Sequence, residues 1–395
     1  MQNREPMTLI EADWFEARAA ARALGSVLSS RAVAVHDSCG RVLAEDCYAL
    51  CDLPSADSSA MDGWAVAGAG PWTIVGDVRA GHTLERTLSP GHAVRIATGG
   101  VLPVGADSVI RWEHAARDGQ VLRGATWPGR DIRRSGEECR LGELVAEEGA
   151  DVSPALAGLL AATGHDEVVV AARPRVALLL LGDELLTAGL PVNGRVRDSL
   201  GPQLPGWLRR LGAVVTEGVQ VADELATLVA ALGEAGHSCD LVVTTGGTAA
   251  GPRDHLHAAI AELGGALVVD RVAVRPGHPM LLATLPIDGR QVPLVGLPGN
   301  PHSAVAALMT LGAPLVAAML GRSSPESSRV PAREELRSPT GHTRLIAGVL
   351  AAGEFCLSPY GGSAMLRGLA QSTGFAVVPA GVVPAGGLVE WLALP

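Results

Sequence analysis

Lysine is missing altogether: all 31 basic residues of the 395-residue chain are arginine. Against 41 acidic residues they leave a net charge of −10, which argues against a general nucleic-acid binder. Aromatic residues are also scarce, with 7 Trp, 3 Phe and 2 Tyr, and no basic stripe interleaves them. They read as packing residues rather than base-stacking platforms. The six cysteines are scattered without a CxxC pair, so neither a zinc site nor a disulfide framework is indicated. Apolar runs such as Val176 to Leu181 are far too short to cross a bilayer, and MQNREPMTLIEADWF has no signal-peptide core. The expectation is a reduced, cytoplasmic protein without a membrane or nucleic-acid partner.

What is present is glycine, 49 residues, and proline, 26, in a chain that is 48% hydrophobic. That is a turn-rich globular composition, and the length calls for two to four domains. The central stretch is DLVVTTGGTAAGPRDH, Asp240 to His255. A short apolar strand runs into Gly246, Gly247 and Thr248, and a helix follows Pro252. Paired glycines let backbone N–H groups approach a ligand, and the following helix start favours an anion. Gly-Gly after a strand is more often only a tight turn, so the loop gains weight from its neighbours.

Those neighbours follow from the alternation between Arg175 and Gly321. Apolar strands alternate there with helices of about ten residues or more, the pattern of a parallel sheet covered on both faces. Ligands bind at the carboxyl ends of such strands, and three polar loops, GDEL, TTGGTAAGPRD and PGNPHS, fall there. Before this lies a packing helix within Ile10 to Ser29, with Trp14, Ala17, Ala21 and Leu24 on one face. Short strands then surround the loops at Asp62 and Thr98. After Gly321 a Ser/Pro/Glu-rich connector leads to a tail of short strands. The expected divisions are a linking domain (1–51 with 143–172), an inserted β-rich module (52–142), an α/β domain (173–322) and a C-terminal β-barrel (323–395).

The motifs SSAMDGWAV, RIATGGVLPVGADSVI, LGDEL, DLVVTTGGTAAGPRDH, VRPGHP, GLPGNPHSA and GGSAMLRGLA occur in this order. Together they resemble the molybdopterin molybdotransferase family, the bacterial counterpart of the E domain of gephyrin, from about residue 8 to the C-terminus. The resemblance implies a multidomain α/β plus β fold, with a three-layer α/β domain of the molybdopterin-binding type. It also implies a homodimer that inserts molybdenum from molybdate into adenylylated molybdopterin, releasing AMP with Mg²⁺ assistance. Molybdopterin adenylyltransferase and recipient molybdoenzymes are the implied partners.

Carried over residue by residue, Asp62 and Thr98 resemble groups that reach the partner's active site. Glu184, Asp223 and Asp254 match the acids that would hold Mg²⁺ and orient the phosphate. Gly246, Gly247 and Thr248 would border the ligand, and Pro298, Gly299, Asn300 and Pro301 would shape the floor. Arg271, Arg275, His278, Ser303, Arg344 and Ser363 resemble the molybdate or phosphate contacts, with Arg271 and Arg275 standing where the family carries lysines. His278, at a basic position of the family pattern, implies reduced charge toward molybdate. Leu181 and Leu200 each replace a polar residue, and GGTAAG lacks the family's serine. Two alternatives follow: a catalytically weakened molybdopterin-binding paralogue, or a molybdopterin adenylyltransferase, whose GGTG and PRD loop is similar. The sequence leaves molybdate and tungstate undistinguished.

Overall fold

The computed structural model describes residues 8–395 apart from 80, 83, 250–254 and 323–327. The chain divides into two compact units, Ala32–Val170 and a larger one formed by Met1–Arg31 with Ala171–Pro395.

The larger unit is built on a seven-stranded sheet. Its order is Leu9–Ala12, Ala266–Val272, Leu281–Ile287, Arg290–Leu297, Leu241–Thr245, Arg175–Leu181, Val214–Val221. The last four strands are mutually parallel, as the α/β alternation implied. The sheet as a whole is mixed, because Leu281–Ile287 pairs antiparallel with both of its neighbours. The sequence reading missed this strand. Its signal was the Asp288–Gly289 pair between two apolar runs; φ is +51° and +74° there, as a tight hairpin turn requires. One face of the sheet, carrying Ala177, Leu179, Val242 and Leu294, buries Leu228, Leu232 and Ile260 of the covering helices. On the other face Leu180 receives the Leu200–Leu211 helix, its Cδ1 lying 3.0 Å from where a Cβ on Gly201 would stand.

The expected N-terminal helix is Trp14–Leu24, with Trp14, Ala17 and Ala21 buried. Asp13 starts it by accepting from the Phe15 N–H. The sequence reading grouped residues 1–51 with the linking domain, yet this helix lies in the larger unit. The strand before it, Leu9–Ala12, pairs parallel with Ala266–Val272. The helix's apolar face meets the long helix Pro301–Met319, where the Trp14 Nε1–H donates to Thr310 Oγ1 at 3.1 Å. A helical stripe states that a face will be buried but not against what.

That long helix widens to π geometry over Leu308–Gly312. In this register the Ala313 N–H bonds the Leu308 carbonyl five residues earlier, and the Met309 carbonyl would fall to Pro314, which has no N–H; Arg18 donates to it instead. By length and composition Pro301–Met319 could cross a membrane, but 83% of its apolar window is buried inside the protein. Its apolar character is that of a core helix.

The C-terminal strands form a six-stranded sheet, with Thr343–Ala351, Gly374–Val378 and Leu388–Ala393 at its centre. The core there is Ala332, Leu336, Phe355, Ala376, Val378 and Val389. At one edge Val274–Arg275 pairs parallel with Thr343 and Arg344, joining this sheet to the segment that follows Ala266–Val272.

The smaller unit contains a second six-stranded sheet, ordered Ser108–Arg111, Gly63–Val66, His92–Ile96, Trp72–Val78, Val121–Arg123, Ala116–Asp118. One face buries Ala65, Val94, Ile96 and Val109, and the other Trp64, Trp72, Ile110 and Leu122. A separate cluster of Val35, Leu43, Val152, Leu160 and Val170 packs beside the Pro154–Ala162 helix.

Candidate active site

The carboxyl ends of the parallel strands converge on a cavity of about 550 Å³. Leu241–Thr245 delivers Gly246 and Gly247, with φ of +81° and +66°. Both positions need glycine, since a side chain pays steric strain in the left-handed region. A Cβ on Gly246 would also sit 3.2 Å from the Leu181 carbonyl, and one on Gly247 3.2 Å from Leu181 Cδ1. Leu181 thus fills the space beneath the turn, 8% exposed and continuous with the sheet core. Arg290–Leu297 delivers Gly299, Asn300 and Pro301 to the same cavity. Asn300 precedes the Pro301–Ala307 helix, with proline in its first turn.

Acidic groups line the same cavity. Glu184 and Asp223 line the cavity together with Asp198. The loops bearing Glu184 and Asp223 are tied reciprocally: the Asp183 N–H donates to Asp223 Oδ2 and the Asp223 N–H to Asp183 Oδ1, each at 3.3 Å. Asp198, Ser199 and Arg197 were not singled out from the sequence. The available signal was an Asp-Ser pair before a helical run. Asp198 Oδ1 accepts from the N–H groups of Leu200 and Gly201, at 2.9 and 3.0 Å, satisfying donors that open the helix. A Cβ on Gly201 would stand 2.2 Å from Asp198 Oδ2, so a larger residue there would require the Asp198 carboxylate to shift. The helix was expected from Leu204 but begins at Leu200, its early prolines being tolerated in and just beyond the first turn. Leu200 is 6% exposed, so its side chain belongs to the core at the cavity's edge.

A second cavity, about 360 Å³, adjoins through Asn300 and has the opposite charge. Arg275, His278, Pro298, Ser303, Arg344 and Ser363 line it. The parallel register sets Arg275 directly beside Arg344. Like charges placed opposite each other in a ladder are unfavourable, so this pairing is an electrostatic demand for an anion. The N–H groups of His302 and Ser303 hold the rim by donating to the Ser363 carbonyl, at 3.1 and 3.3 Å. His302 itself is 1% exposed and donates from Nδ1 to the Gly362 carbonyl at 3.1 Å. Its burial pulls the imidazole below the ordinary histidine range, toward the neutral ring.

The remaining expected site residues lie elsewhere. Thr248 is 5% exposed and packs against Gly296, outside the cavity lining. Arg271 also lies outside both linings, paired with Glu11 at 3.7 Å and Asp270 at 3.6 Å. Asp254 falls outside the described residues. Asp62 and Thr98 belong to the smaller unit and bond to each other: Asp62 Oδ1 accepts from the Thr98 N–H at 2.7 Å and hydroxyl at 2.9 Å. The backbone N–H of Thr98, more than its hydroxyl or the Arg95 charge, holds the Asp62 carboxyl below the usual range.

Family models match almost the whole of this architecture. The "MoeA N-terminal region (domain I and II)" matches residues 13–164, the "Probable molybdopterin binding domain" 177–318, and the "MoeA C-terminal region (domain IV)" 329–394. A molybdopterin molybdenumtransferase 2 of Mycobacterium tuberculosis is 33% identical over 368 residues, covering 87% of this chain and 89% of the relative. The chain belongs to the molybdopterin molybdenumtransferase family. Another member, from Bacillus subtilis, is 29% identical over 372 residues, covering 88% of this chain and 86% of its own. Among solved structures, a molybdopterin biosynthesis MoeA protein of Pyrococcus horikoshii superposes with a TM-score of 0.76 at 26% identity. It covers 97% of this chain and 99% of its own. The two cavities therefore lie within a molybdenumtransferase-family fold.

Proposed function

We propose that this chain inserts molybdenum from molybdate into adenylylated molybdopterin, releasing AMP and yielding molybdenum cofactor. The observation carrying the reading is the juxtaposition of two cavities of opposite character across Asn300. One is acidic and glycine-floored, the other arginine-lined. A phosphate ester held on the glycine turn and an oxyanion held by Arg275 and Arg344 would be neighbours, which is what a transfer between them needs.

Mg²⁺ fits the acidic wall in a limited way. Among the described residues no cluster of three or more His, Cys, Asp or Glu could hold a metal alone. Mg²⁺ commonly takes one or two carboxylates and completes its shell with water and substrate phosphate oxygens, and Glu184 and Asp223 supply that number. Bound there, it would neutralise phosphate charge as the bond to AMP breaks. The chain's own groups orient the reactants: Gly246 and Gly247 admit the phosphate to the backbone, Ser303 and Ser363 offer hydroxyls, and the two arginines hold the oxyanion.

The active form is proposed to be a cytoplasmic homodimer in which Asp62 and Thr98 serve the partner's site. Two adenylate-handling reactions remain to be separated. The assay supplies purified protein with adenylylated molybdopterin, molybdate and Mg²⁺, and follows AMP release together with reconstitution of an apo-molybdoenzyme. Both signals appear, and both disappear in Glu184→Ala. Ligand binding without AMP release would establish the binding paralogue, and ATP consumption with unmodified molybdopterin the adenylyltransferase.

A further inference from the structure

His278 lines the arginine cavity, yet its ring is engaged from behind. Nε2 lies 3.1 Å from Oε1 of Glu11, a residue more than 260 positions earlier in the chain. The parallel pairing of Leu9–Ala12 with Ala266–Val272 brings it there: Ile10 faces Asp270 and Ala12 faces Val272, which leaves Glu11 beside Arg271. Both residues of this step have left-handed backbones, φ +52° for Glu11 and +65° for Arg271. Non-glycine residues adopt that region only where surrounding structure imposes it, so the carboxylate's position is built rather than incidental.

The charges around the imidazole are Glu11, Arg271 and, behind it, Asp270, with His342 at 6.0 Å between ring centroids. Arg275 and Arg344 stand on the cavity side. The Glu11 carboxyl is held below the usual carboxylate range chiefly by its hydrogen bond with His278, so it persists as an anion at neutral pH.

We propose that Glu11 is a specificity-determining residue of the oxyanion cavity, holding the His278 ring by its Nε2 so that this third basic group is available to an anion only conditionally. The inference rests on the reading of the arginine cavity as an oxyanion site. An arginine or lysine would offer its charge at any physiological pH, whereas an imidazole changes charge within the neutral range. Binding a doubly charged oxyanion against His278 therefore favours the protonated ring. It also competes with Glu11 for that ring.

The test is calorimetric titration of the full-length protein with sodium molybdate at pH 6.0, 7.0 and 8.0, in buffers of different ionisation enthalpy. Wild type takes up a fraction of a proton on binding at one or more of these pH values. His278→Lys and His278→Gln show no such uptake, and His278→Lys holds its affinity across the range. Glu11→Gln binds molybdate roughly twofold to fivefold more tightly at pH 6.0, the scale of an exposed ion pair. Proton uptake that survives in His278→Gln, or an unchanged affinity in Glu11→Gln with its melting temperature intact, overturns the proposal while leaving the oxyanion site standing. Failure of wild type to bind molybdate at every pH overturns the oxyanion site itself and this inference with it. Arg344→Ala, losing molybdate binding while the fold is retained, places the measured event in this cavity.

Discussion

Gly247→Ala and Gly299→Ala separate what the glycine floor does for the fold from what it does for a ligand. Gly247 has φ +66°, and its missing Cβ would meet Leu181 Cδ1 at 3.2 Å and Leu256 Cβ at 3.5 Å. The left-handed backbone costs an L-residue about 1–2 kcal/mol, and Leu181 must also yield a few tenths of an ångström. Gly299 also lines the acidic cavity, but a Cβ there would meet only Gly246 Cα, at 3.9 Å, and its φ is not positive. Both alanines project new bulk near the surface that a phosphate would approach. In a unit of this size each kcal/mol shifts the melting temperature by roughly 2–4 °C. Gly247→Ala is thus expected to melt lower by roughly 2–8 °C. Gly299→Ala should melt within about 1 °C of wild type, as a substitution without strain does. Both should raise KM for adenylylated molybdopterin at least severalfold. Calorimetric melts paired with AMP-release kinetics read the two effects separately. A Gly299→Ala enzyme with unchanged KM would refute the placement of the phosphate on this floor, and a Gly247→Ala enzyme of undiminished stability would refute the steric account.

Trp14 is fully buried and donates to Thr310, so Trp14→Ala should cost about 3–5 kcal/mol in chemical denaturation. A loss under 1 kcal/mol would mean that the helix does not anchor the larger unit. The Asp62 carboxyl is lowered by the Thr98 N–H, so the contribution of this contact is fully present above the ordinary value of 3.8. It disappears as pH falls through the depressed folded value. The Thr98 amide resonance should report that transition below pH 3.8 and should lose it in Asp62→Asn. Chelation with EDTA should abolish AMP release while leaving the melting curve unchanged. A fall in melting temperature on chelation would instead assign Mg²⁺ a structural role.

The sequence by itself determined the parts whose physics is local. Alternating apolar strands and helices required a sheet covered on both faces, and the three polar loops had to fall at strand ends. Gly246 and Gly247 marked a backbone that only glycine adopts without strain, and a seven-motif order resembled one family. Tertiary structure decided everything that depends on which distant segments pair. The partner of the Trp14 face, the antiparallel strand Leu281–Ile287 and the register that sets Arg275 beside Arg344 are such outcomes. His278 read as a weakened cation in the sequence, and only the pairing of Leu9–Ala12 with Ala266–Val272 revealed Glu11 behind it. Propensity and periodicity act over a few residues, whereas charge acts through space. The electrostatics of this site therefore had to wait for the fold that brings residues 11, 278 and 344 together.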